Sequence, residues 1–111
     1  MGANIKSLLK VATVTIANGA TASDAVDIAE YTLTGIEFPA ALTGTGLTFQ
    51  VSQDNSTFVD VHNTTITKQN SKLVLVGTTY NALEGLGRYL KVVSSGAEGA
   101  ARTIKLYLVP R

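Results

Sequence analysis

Apolar residues in this chain recur at every second position, in short runs broken by Gly, Asn, Asp, Ser and Thr. That period is the signature of half-buried strands and leaves little room for helices. Val11–Ala17 alternates, with Ala12, Val14 and Ile16 on one face, and Asn18-Gly19 then breaks it as a turn. Ala25–Ile28 alternates again. Tyr31-Thr32-Leu33 continues with the phase moved by one residue, which swaps faces and predicts a bulge or bend near Ala29-Glu30. Gly35 precedes Ile36-Glu37-Phe38, and Pro39 ends that strand or marks it as an edge.

Leu42 to Leu47 reads as a small-residue loop, and the clearest hairpin follows. Leu47, Phe49 and Val51 share one face, Gln53-Asp54-Asn55-Ser56 forms the turn, and Thr57–Val61 returns antiparallel. Leu73-Val74-Leu75-Val76 is a continuous apolar strand, the pattern of burial on both faces. Arg88–Val93 and Arg102–Leu108 alternate cleanly, and Ser94–Ala101 between them has the composition of a hairpin loop. Tyr80–Gly87 fits one helical turn or a loop. Ile5, Leu8 and Leu9 have helical spacing, so Asn4–Val11 reads as an arm, a short helix or a first edge strand.

About eight strands at short spacing predict an all-β protein: an antiparallel, jelly-roll-like β-sandwich. With 111 residues there is room for one core. Residues 1–10 are expected to form an N-terminal arm or edge segment, and residues 11–111 a single β-sandwich domain.

The residue inventory narrows the chemistry. No cysteine is present, which removes disulfides, thiolate metal sites and cysteine nucleophiles. His62 is the only histidine, so the usual general base is scarce and a multi-histidine metal site is absent. Asp54 and Asp60 flank the hairpin turn but supply too few oxygens for calcium, and turn aspartates normally bond their own backbone. Asp24, Asp27 and Glu30 read as a solvated outer face. Gly44-Thr45-Gly46 fails the dinucleotide pattern, because Phe49 takes the third glycine position and a strand follows. These failures predict a protein that is not an enzyme, with no cofactor and no metal.

Net charge is +1 with both signs scattered, so nothing supports a nucleic-acid partner. No run approaches a membrane span, and the first residues lack the form of a secretory signal. Charged residues make up only 15% of the chain, against about 25% in typical domains. A surface this poor in charge is expected to be partly covered by other protein.

Two segments resemble the galactose-binding-like (discoidin-like) jelly roll: the hairpin Phe49-Gln50-Val51-Ser52-Gln53-Asp54-Asn55-Ser56-Thr57-Phe58 and the strand Arg88-Tyr89-Leu90-Lys91-Val92. They are scaffold motifs, and the resemblance implies fold rather than ligand. A longer stretch, Val26–Gly44, together with Ala100–Leu106, is similar to small virion proteins of tailed bacteriophages, among them head decoration (cement) proteins. That resemblance implies a structural protein made in the bacterial host cytoplasm and carried in the virion. It also implies binding to the major capsid protein or other virion proteins, and a homo-oligomer, trimer or dimer. A tail, neck or fibre component and a glycan-binding module are the alternatives. The expected contacts lie in the Pro39–Gly46 loop and the N-terminal segment, whose composition is uncharged or that of a flexible chain: Ile5, Leu8, Leu9, Pro39, Leu42, Thr43 and Thr45.

Overall fold

The computed structural model describes residues 10–61, 65–76 and 88–110. Nine strands occur among them: β1 Lys10–Ile16, β2 Val26–Asp27, β3 Tyr31–Glu37, β4 Gly46–Ser52, β5 Val59–Asp60, β6 Ile66–Thr67, β7 Leu73–Leu75, β8 Tyr89–Ser94 and β9 Arg102–Pro110. His62, and the Tyr80–Gly87 stretch expected as a turn or loop, lie outside the described residues.

The strands form two antiparallel sheets, β1-β9-β3-β7 and β2-β8-β4-β5, with β6 also on β4. β5 and β6 occupy successive positions along β4, Val51↔Val59 and Leu47↔Ile66, so they act as two halves of one interrupted strand. Counted that way there are eight strands, and the chain changes sheet at every connection but the β4–β5 hairpin. This is the order of a jelly roll, as the sequence predicts.

The alternation sets the core. Val14, Ile16, Leu33, Ile36, Ile104, Leu106 and Leu108 of one sheet meet Leu47, Phe49, Val51, Leu90 and Val92 of the other, all buried. Two features differ from the sequence expectation. Ser94–Ala101 is not a hairpin loop, because β8 and β9 lie in different sheets and the segment arches across the sandwich. The Leu73–Val76 run is not buried on both faces. β7 is an edge strand among the described residues, with Val74 turned inward and Leu73 and Leu75 exposed by 51% and 77%.

The expected bend near Ala29-Glu30 is a tight turn, closed by Tyr31 N–H donating to the Ile28 carbonyl at 3.0 Å. It carries the chain from β2 to β3 and so from one sheet to the other. The register slip in β3 falls later, between Leu33 and Gly35. Asn18-Gly19 also turns as expected, with Ala20 N–H on the Ala17 carbonyl and Gly19 at φ 83°. A left-handed residue at that position suits glycine.

Candidate functional site

Three loops meet at one end of the sandwich: Ala17–Thr21 after β1, Ala40–Thr45 before β4, and Ser95–Ala101 between β8 and β9. The only ionisable side chain in all three is Glu98, and it is 1% exposed. A buried carboxylate is costly unless its oxygens are satisfied, and here they are. Oε1 accepts from Thr43 N–H at 2.8 Å and from Arg102 Nε at 2.9 Å. Oε2 accepts from Gly44 N–H at 3.0 Å and from the Ser94 hydroxyl at 2.6 Å. Burial alone would push this carboxyl up; the Ser94, Thr43, Gly44 and Arg102 donors outweigh that and hold it at about 2.

Backbone bonds around Glu98 lock the third loop into place. Gly19 N–H donates to the Glu98 carbonyl at 2.7 Å, and Glu98 N–H to the Ala20 carbonyl at 3.0 Å. On the other side, Gly99 N–H and Arg102 Nη2 both reach the Thr43 hydroxyl at 3.1 Å, and Thr45 N–H reaches the Ser95 hydroxyl at 2.8 Å. Gly44 packs so closely on β8 that a Cβ there would collide with the Ser94 hydroxyl. One hidden acid thus organises a firm surface whose exposed members are Ala17, Asn18, Gly19, Thr21, Ala40, Ala41, Thr43, Thr45, Ser95, Ala97, Gly99, Ala100 and Ala101. None of them carries charge; at the margin Lys68 Nζ donates to the Leu42 carbonyl at 3.1 Å, and the part-buried Arg102 is paired with Glu98.

Of the contact residues predicted from sequence, Thr43 and Thr45 stand exposed on this surface. Pro39 is half-buried at its margin, its carbonyl accepting from Ser71 N–H at 3.0 Å. Leu42 is buried at 4% exposure, so it anchors the loop in the core instead of offering a contact. Ile5, Leu8 and Leu9 lie outside the described residues. Lys10, where β1 starts, is at the opposite end of the sandwich. It pairs with Leu108, whereas Ile16 pairs with Arg102 beside Glu98, and six strand residues span about 20 Å. The Ala17–Thr21 and Ser95–Ala101 loops, and Glu98 itself, do not stand out in the sequence. The available signal is an isolated acid in a Gly/Ala loop, four residues before an arginine.

The opposite end is polar. Asp27 forms an exposed ion pair with Arg88 at 3.2 Å, and an open depression of about 420 Å³ is lined by Ala29, Glu30, Tyr31 and Pro110. Three aromatic rings are capped by cations: Lys10 over Tyr31 at 5.0 Å, Arg88 over Tyr89 at 5.5 Å, and Lys91 over Phe58 at 4.3 Å. Asp54 is a turn residue, its Oδ1 accepting from Ser56 and Thr57 N–H and the Ser52 hydroxyl, which keeps its carboxyl low. Asp60 pairs instead with Gln50 across β4 and β5. Among the described residues no group of three or more His, Asp or Glu is placed to hold a metal ion.

The fold is thus a jelly-roll sandwich with one interlocked end that is largely uncharged. No protein-family model, curated protein or solved structure matches this chain.

Proposed function

We propose that this chain is a structural protein of a tailed-bacteriophage virion, acting as a head decoration protein that binds the major capsid protein. The observation that carries the reading is the largely uncharged surface built around buried Glu98, with the cation Lys68 placed at its margin. Its Ala, Gly, Ser and Thr side chains lose little conformational entropy on contact and leave no charge to desolvate. Four hydrogen bonds to Glu98 hold the loops in place before binding, which lowers the ordering cost of association. The resemblance of Val26–Gly44 and Ala100–Leu106 to phage virion proteins supports the same reading: the first segment starts at the opposite end and finishes in the Ala40–Thr45 loop, and the second leaves the Ser95–Ala101 arch.

The test is made on particles assembled from the genome that encodes this chain. Mass spectrometry of purified heads, separated from tails, is expected to find the protein in many copies on the head. Recovery with tails alone would favour the tail or neck alternative, and absence from the particle would overturn the proposal.

A further inference from the structure

We propose that β7 is a self-pairing edge, through which two copies of this chain join antiparallel about Val74. This pairing is independent of what the uncharged end binds, and its test uses the free protein.

The backbone of β7 is half used. Phe38 N–H donates to the Lys72 carbonyl at 3.0 Å, and Val76 N–H to the Thr34 carbonyl at 2.9 Å. Val74, Val76 and the Lys72 carbonyl therefore turn toward β3, while Lys72 N–H donates to the Gln69 carbonyl, and Leu73 and Leu75 turn their backbone groups to the other side. Among the described residues β7 pairs only with β3. The same two leucines also expose their side chains, by 51% and 77%.

Edges are normally guarded by a charge, a proline or a bulge. Leu73-Val74-Leu75 itself has none of these; the exposed Lys72 precedes it, and pairing about Val74 sets that lysine against Val76 of the second copy and not against a second charge. It is apolar on both faces, yet this domain covers only the Val74 face. A second β7 supplies the complement without any adjustment. Antiparallel pairing about Val74 sets Leu73 against Leu75 of the second copy, each pair exchanging both backbone bonds. The outward leucines then lie beside outward leucines, and the Val74 side chains meet on the inner side. No like charges face each other in the strand. The other described edges mix apolar with polar residues: β1 presents Val11 together with Thr13 and Thr15, β2 carries Asp27, and β5 sets Val59 beside Asp60.

Three paired residues fall short of the roughly 1,200 Å² that a stable standard-size interface buries. The expected dimer is therefore weak and concentration-dependent, and is strengthened where copies are crowded on one surface.

The chain has no cysteine, so a single introduced thiol reports geometry cleanly. Across a non-hydrogen-bonded antiparallel pair the Cα atoms are about 4.5 Å apart, within the range of a disulfide. Under mild oxidation full-length Val74→Cys is expected to give a disulfide dimer, severalfold more than Leu75→Cys, whose symmetry mates lie two positions out of register. Adding Leu75→Lys to Val74→Cys is expected to abolish the dimer. Sedimentation equilibrium of the unmodified chain is expected to show weak self-association that Leu75→Lys removes, a readout that survives if Val74→Cys fails to fold. A wild-type chain that stays monomeric at high concentration, as when a different protein is the partner of this edge, would overturn the proposal. So would equal crosslinking of the two cysteine variants.

Discussion

The Glu98 carboxylate meets the Arg102 guanidinium at 2.9 Å, the acid fully buried and the base one-fifth exposed. The pair alone does not account for the burial of a carboxylate. The remaining lone pairs are taken by Ser94 and by two N–H groups from a loop more than fifty residues earlier in the chain. Glu98 therefore ties the β3–β4 connection to the β8–β9 arch, and the uncharged surface depends on it.

Replacing Glu98 with Gln tests that dependence. Every neighbour of the carboxylate donates, so an amide NH2 faces a donor in either orientation. Losing charge-assisted bonds and leaving buried donors unpaired is expected to cost about 1–3 kcal/mol. The melting temperature should drop by several degrees, while the far-ultraviolet spectrum stays that of a β-protein.

Acid should reproduce part of that loss. The Glu98 carboxyl titrates at about 2 in the folded protein against an ordinary 4.5. Its contribution is therefore complete above about pH 4.5 and is lost as pH falls toward 2. Urea unfolding from pH 6 to pH 2 should show the wild type and Glu98→Gln converging through that window. Asp27 and Asp54, also held low by their hydrogen bonds, weaken both proteins alike, so the difference between the two isolates Glu98.

Gly44 is predicted to tolerate no side chain. A Cβ there strikes the Ser94 hydroxyl and comes within 3.1 Å of the Ser95 backbone nitrogen. Gly44→Ala should destabilise by about 1–3 kcal/mol through overpacking. Ser94→Ala removes both the clash and the bond to Glu98, so the double variant should lose less than the sum of the single changes.

A charge on the uncharged surface should separate binding from folding. Ala97 and Ala100 are exposed, and exposed substitutions away from special features usually stay within about 0.5 kcal/mol. Ala97→Glu and Ala100→Glu are expected to melt like the wild type but to be missing from purified particles, as read by immunoblot.

Much of the sandwich is legible because alternation maps directly onto burial. Leu47, Phe49 and Val51 face the core as their spacing requires, and so do Val14 and Ile16. Alternation is silent on which sheet a strand joins, so Ser94–Ala101 resembles a hairpin loop although it crosses between sheets. The Leu73–Val76 run reports a need for burial on both faces, but the single domain satisfies only one of them. The site was legible in part. Thr43 and Thr45 were visible as uncharged loop residues, whereas the interlock is not local: Glu98 gains its meaning only when folding brings Thr43 and Gly44 to it.

If the Glu98-organised end is the surface by which this protein joins a virion shell, that end faces the capsid protein in the assembled particle. A cryo-electron microscopy map of particles assembled from the encoding genome tests it most directly. Sandwich density is expected on the head with residues 17–21, 40–45 and 95–101 packed against the capsid protein. Particles bearing the sandwich with that end turned to solvent, or heads without it, would rule out this role for the Glu98 end.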